Sequence, residues 1–118
     1  MLSYISESAD MGEMSEYFPL FVSLRGKRIY IAGAGKIAAR RAEVLLSFGA
    51  KLSVVAPECA PEMSELLGRK SGEDLAYRKK CFEEADLSGK DFVFAATDDE
   101  ELNHRIVVLC RGKGVPVN

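Results

Sequence analysis

Apolar residues fall along this chain in short blocks separated by polar turns, and the blocks alternate between two periods. Arg28 to Ala32 (RIYIA) is apolar and β-branched without alternation, the pattern of a strand buried on both faces. Gly33-Ala34-Gly35 interrupts it. Ile37, Ala38, Arg41, Leu45 and Phe48 then fall near helical spacing, with Val44 and Leu46 widening the apolar face. Gly49 stands where a helix takes a left-handed stop. Lys51 to Ala56 (KLSVVA) is a second buried strand, ended by Pro57. Pro61 to Leu67 predicts a short helix with proline in its first turn, and Gly68 to Asp74 a loop. Leu75 to Lys79 (LAYRK) alternates, so it belongs near a sheet edge with one wet face. Asp91 to Ala96 (DFVFAA) is the third strongly apolar strand. Asp98, followed by Glu101, has the form of a helix cap. That helix runs to about Lys113, is closed by Gly112 and Gly114, and leads into an extended Val115 to Asn118.

Strands and helices therefore alternate. The pattern predicts a doubly wound parallel sheet with helices on both faces, a Rossmann-type three-layer α/β/α domain over residues 17–118. Met1 to Glu16 is polar and without period, and is expected to be a flexible leader. Order is expected to begin at Tyr17, Phe18, Leu20 and Phe21, an apolar cluster that needs something to pack on. With 118 residues, 47% apolar and 29% charged, the chain suits one globular domain.

Charge narrows the partners. A net charge of −2 and a pI near 5.5 argue against a nucleic-acid binder, which would need a basic face. No apolar run approaches the ~20 residues of a bilayer span. The start, MLSYISESAD, lacks the basic and apolar stretches of a secretory signal, so a cytoplasmic location is expected. Cys59, Cys81 and Cys110 are an odd set without a CxxC pair, which suggests reduced thiols and neither a disulfide framework nor a metal site.

The segment that carries chemistry is Gly33-Ala34-Gly35-Lys36-Ile37-Ala38, a GxGxxA that follows a strand and opens a helix. Gly33 permits the tight turn. Gly35, without a Cβ, lets backbone approach a pyrophosphate, and Ala38 is small enough for the helix to lie close to the sheet. The free amides and partial positive charge at a helix start favour phosphate. A dinucleotide is the ligand this context predicts. The acid that usually binds ribose is expected at the end of the second strand, where this chain has Ala56-Pro57-Glu58. Either the Glu58 side chain or backbone groups around Pro57 and Glu58 are expected to meet the ribose in this less polar corner, and no arginine at this turn favours a 2′-phosphate, so NAD is expected rather than NADP. Ala96, Thr97 and Asp98, after the third strong strand, should line the same crevice, with capping as the alternative role for Asp98. His104, alone between Asn103 and Arg105, reads as a solvated or packing residue, and Arg40 and Arg41 as a solvated helix flank.

Five segments together, Tyr17 to Val22, GAGKIAARRAEVLL, VVAPE, FVFAATDDEELNHRI and GVPVN, resemble the NAD-binding domain of the siroheme synthases, the precorrin-2 dehydrogenase family. Its most specific pieces are VVAPE in place of an acidic strand end, AATDD followed by Leu102-Asn103, and the closing PVN. The resemblance implies oxidation of precorrin-2 to sirohydrochlorin with hydride passed to NAD, and in some members sirohydrochlorin ferrochelatase (lyase) activity. It implies that Gly33, Ala34, Gly35, Lys36 and Ile37 form the phosphate loop, that Pro57 and Glu58 lie on the adenosine side, and that Ala96, Thr97 and Asp98 lie beneath the nicotinamide. It also implies a tetrapyrrole substrate and a homodimer for the full-length enzyme. The family's catalytic aspartate follows shortly after the segment matching Pro116-Val117-Asn118. No catalytic residue is therefore assigned within this chain, which is expected to be a cofactor domain cut before the dimerisation and substrate regions.

Two other readings compete. A non-catalytic NAD(H)-sensing Rossmann domain would share the fold, but such sensors usually keep the acidic ribose ligand that Ala56-Pro57 displaces. A homologue serving cobalt-dependent B12 synthesis would share both fold and chemistry.

Overall fold

In a computed structural model of the chain, which describes residues 16–118, the run RIYIA forms strand β1 (Arg28–Ala32). Its last four residues are buried, with Ile29 and Ile31 facing one layer and Tyr30 and Ala32 the other. That two-sided burial is what a parallel sheet covered by helices requires. Strands β2 (Lys51–Ala56), β3 (Leu75–Lys79) and β4 (Phe92–Ala95) complete the sheet. All neighbours are parallel, in the order β3-β2-β1-β4. Val117 pairs with Val93, and the Ala95 amide donates to the Asn118 carbonyl at 2.9 Å, so the chain starts another strand beside β4.

Helices α1 (Lys36–Ser47) and α2 (Pro61–Lys70) cover one face, packing Ala38, Ala42, Met63 and Leu66 onto Ile29, Ile31 and Val54. A single-turn 3-10 helix (Glu84–Leu87) and α3 (Glu100–Lys113) cover the other, through Leu87, Ile106 and Cys110. The three-layer Rossmann-type architecture is the one expected. β3 stands at the edge, as its alternation indicated. Gly49, at φ +84°, stops α1 as expected, in a conformation that side chains rarely adopt.

Several local expectations need correction. The buried face of α1 is Ala38, Ala39, Ala42 and Leu45, whereas Ile37, Val44 and Phe48 are 70%, 51% and 63% exposed. Close helix-to-sheet approach selects small residues, so the large apolar ones turn to a flank. Helix α2 runs past Leu67 to Lys70, and the expected loop shrinks accordingly. Gly68 costs the helix about 1 kcal/mol relative to alanine. Against that cost, Arg69 bonds Glu43 across to α1 and Glu65 one turn back, and two cations favour the carboxyl end. The cluster at Tyr17, Phe18, Leu20 and Phe21 finds no core and stays exposed; Leu24 is the residue of this lead-in that packs. The leader expected over 1–16 lies, save for Glu16, outside the described residues.

Candidate functional site

The sheet steps outward from β1 to β3 and then returns to the opposite side of β1 for β4, so strand order reverses between β1 and β4. In doubly wound sheets ligands bind beyond the carboxyl ends of the strands at such a point. The glycine loop emerges there.

Gly33 has φ +119°, and its amide donates to the Val55 carbonyl at 2.8 Å. A Cβ at Gly33 would overlap the Ala96 carbonyl, 2.6 Å from its carbon, so β4 ends directly against the loop. Ala34 turns its side chain into the core and gives its carbonyl to the Ala60 amide at 2.9 Å, tying the loop to the turn after β2. Gly35 is different. Its backbone is extended (φ −86°, ψ −170°), and a Cβ there would meet nothing within 4 Å. Its missing side chain leaves open space beside the helix start rather than relieving a clash within the protein.

The first amides of a helix have no partner within the helix. α1 has no side-chain cap, and among the described residues no carbonyl or side chain takes the amides of Lys36, Ile37 or Ala38. Ala38 and Ala42 are wholly buried, which seats this end of the helix low against the sheet. Free donors, a positive helix end and an open cradle fit a diphosphate.

At the end of β2, Ala56 is buried and its carbonyl accepts from the Tyr77 hydroxyl at 2.8 Å. Burial first, then the nearby Cys59 and Glu58, push the Tyr77 hydroxyl above its ordinary pKa, so it stays a donor. Pro57 and Glu58 are exposed at the corner. The Glu58 carboxylate suits a ribose hydroxyl and repels a 2′-phosphate.

On the β4 side, the Ala96 amide donates to the Ala32 carbonyl at 2.8 Å. Thr97 follows, and its polar groups are largely used within the protein. Its hydroxyl lies 2.6 Å from Asn103 Oδ1 and accepts from the Asp99 amide at 3.2 Å. Asn103 Oδ1 also accepts from the Thr97 amide at 3.0 Å, while Asn103 Nδ2 donates to the Thr97 carbonyl at 2.9 Å. Asn103 therefore holds the turn at both ends. Sequence reading missed that role, because nothing in the pattern says that a polar residue early in a helix reaches back to a strand end. The cap of α3 is Asp99, which accepts from the Glu101 and Leu102 amides, and not Asp98. Asp98 is exposed at the turn, without a hydrogen bond to the described residues. A cleft of about 260 Å³ opens here, lined by Ile37, Arg41, Ala96, Thr97, Asn103 and Asn118.

The remaining chemistry is structural in character. His104 is exposed on α3. Cys59 is half-buried, Cys81 exposed and Cys110 buried, with burial raising the Cys110 thiol pKa. Among the described residues no group of three His, Cys, Asp or Glu is placed to hold a metal ion. No described helix is long and apolar enough to cross a membrane. On the far face, burial alone would raise the Asp86 carboxyl. Hydrogen bonds from Lys80, the Glu83 amide and the Tyr30 hydroxyl hold it below the usual carboxylate range.

Comparison with known proteins agrees with this geometry. Residues 20–118 match the family described as "Putative NAD(P)-binding". The siroheme synthase of Pseudomonas fluorescens Pf0-1 is 43% identical over 103 residues, which are 87% of this chain and 22% of that protein. The siroheme synthase of Chromobacterium violaceum is 42% identical over 103 residues, 87% of this chain and 21% of that protein. The chain thus spans about a fifth of the length of the curated relatives it matches. Among solved structures, SirC, a precorrin-2 dehydrogenase, superposes with a TM-score of 0.72 at 28% identity, covering 86% of this chain and 48% of that one. The expected cofactor, NAD, agrees with these matches. With a family match over nearly all the described residues and an open glycine loop where strand order reverses, the chain belongs to the family described as putative NAD(P)-binding and is similar to the matching fifth of siroheme synthases.

Proposed function

We propose that this chain is the cofactor domain of an enzyme that oxidises precorrin-2 to sirohydrochlorin in siroheme biosynthesis, with NAD as hydride acceptor. The observation that carries the reading is the open cradle at Gly35, next to free helix-start amides and the cleft that runs from Ile37 to the end of β4. Similarity to siroheme synthases and to SirC supports the substrate class. In this reading Gly35, Lys36, Ile37 and Ala38 hold the diphosphate by backbone amides. Glu58 takes the adenosine ribose, and the turn Ala96-Thr97-Asp98 bounds the nicotinamide. Gly33 and Ala34 serve by shape: one lets β4 close in, the other anchors the loop in the core. When bound, the cofactor supplies the hydride-accepting ring. What this chain contributes is binding, orientation and the walls of the cleft. A cytoplasmic location, a homodimeric full-length enzyme and any ferrochelatase step belong to the same proposal.

The test grafts residues 20–118 in place of the matching segment of the Pseudomonas fluorescens siroheme synthase. The graft should form sirohydrochlorin while absorbance at 340 nm rises with NAD. A graft that binds NAD but reduces none in the presence of precorrin-2 would favour a sensing role and defeat the enzymatic reading.

A further inference from the structure

The chain has two adjacent arginines on α1, and both read in sequence as a solvated flank. Arg41 is exposed on that flank, as expected, but it also has a fixed neighbour. Its guanidinium carbon sits 5.2 Å from the centroid of the Phe94 ring, and Phe94 is only 6% exposed, so the stacking partner is fixed in the core. Arg41 also lines the cleft beside Thr97 and Asn118, where among the described residues it is the one charged side chain.

Four other cations form ion pairs among the described residues. Arg69 pairs with Glu43 and Glu65, Lys80 with Glu83 and Asp86, Lys113 with Glu84, and Lys51 with Asp74. Among the described residues Arg41 has no ion pair. A guanidinium stacked on an aromatic face keeps its N–H edge free, and that planar fork matches a carboxylate or phosphate in a bidentate way. Of the uncharged polar side chains there, Thr97 and Asn103 are committed to each other, which leaves the Asn118 amide beside Arg41. The cleft is therefore built to receive a negative group.

Two sources offer one: the diphosphate of the cofactor and a carboxylate of the substrate. The diphosphate already has its seat at the amides of Lys36 to Ala38, at the start of α1. Arg41 lies a helical turn beyond Ile37, over β4, on the side away from β2 and the adenosine corner. Substrate must approach from that side to meet the nicotinamide. We propose that Arg41 is a substrate-positioning residue that receives a carboxylate of a polycarboxylate tetrapyrrole in the β1/β4 cleft. This inference rests on the dinucleotide reading of the same site.

The experiment titrates the chain with uroporphyrin III, a stable fluorescent polycarboxylate porphyrin, and separately with NAD, for wild type, Arg41→Met and Arg41→Lys. Far-UV circular dichroism checks that each variant folds. Arg41→Met should weaken porphyrin binding about tenfold, a loss typical of one charge-assisted contact, and leave NAD affinity within about twofold. Arg41→Lys should recover only part of the loss, because an ammonium lacks the fork. Unchanged porphyrin affinity in Arg41→Met, or no porphyrin binding by wild type, overturns the proposal. An equal fall in NAD affinity overturns it too, since Arg41 would then serve the diphosphate. Wild-type NAD binding in the same series reports on the underlying reading independently, so the two failures are told apart.

Discussion

Replacing Gly33 by alanine puts a methyl group where β4 ends. The new Cβ would overlap the Ala96 carbonyl group and lie 3.0 Å from the Thr97 amide nitrogen, backbone atoms that cannot swing aside. The backbone at φ +119° adds strain of about 1–3 kcal/mol for any residue with a side chain. Overpacking against fixed atoms adds about 1–3 kcal/mol more. Together these give a loss of roughly 2–6 kcal/mol from a total that for a domain of this size is only about 5–15 kcal/mol. Gly35→Ala is the control. Its φ of −86° is ordinary, and no atom lies within 4 Å of the added carbon, so stability should stay within about 0.5 kcal/mol of wild type. Urea denaturation followed by circular dichroism at 222 nm measures both. With slopes of about 1–3 kcal/mol per molar urea, Gly33→Ala should lower the midpoint by about 0.7 M or more. If the two variants unfold at the same midpoint, the close approach of loop and strand is wrong, and with it the placement of the crevice.

Three further outcomes follow from the same geometry. Asp99→Ala should cost about 1 kcal/mol by removing the cap of α3, whereas Asp98→Ala should shift thermal unfolding little, since its side chain bonds nothing in the described fold. Asn103→Ala should weaken NAD binding and destabilise the fold by about 1–2 kcal/mol, because the Thr97 amide and carbonyl lose their shared partner; calorimetry and denaturation read the two effects. Asp86 has its native carboxyl pKa lowered, so its contribution is present above the ordinary aspartate range and lost as pH falls through the native value. Asp86→Asn should therefore be less stable than wild type at pH 7 by about 1 kcal/mol, with the difference shrinking as pH falls below the ordinary aspartate range in parallel urea titrations.

Much of the fold is legible in the sequence because parallel strands buried on both faces are written as unbroken apolar runs, such as RIYIA and KLSVVA. The glycine loop is legible for a related reason: its residue types are set by steric limits that few alternatives satisfy. What misleads is size. Periodicity gives weight to Ile37, Val44 and Phe48, while α1 packs through Ala38, Ala39 and Ala42 because proximity to the sheet, not side-chain volume, decides that contact. The capping residue is misplaced by one because Asp98 and Asp99 are chemically identical. Only the tie between Thr97 and Asn103 fixes where α3 begins. Arg41 escapes for a tertiary reason. Its partner Phe94 comes from a strand far along the chain, and no local pattern links them.

The claim beneath the rest is that a bend without side chains feeds free amides to a diphosphate. Isothermal titration of NAD against wild type and Gly35→Val addresses it most directly, since valine would fill the cradle while touching no described protein atom within 4 Å of its Cβ. Each hydrogen bond to a charged phosphate is worth about 1.5–3 kcal/mol, so losing two should weaken binding at least about 100-fold. Circular dichroism should show the variant still folded. Equal NAD affinity in the two folded proteins would contradict the account.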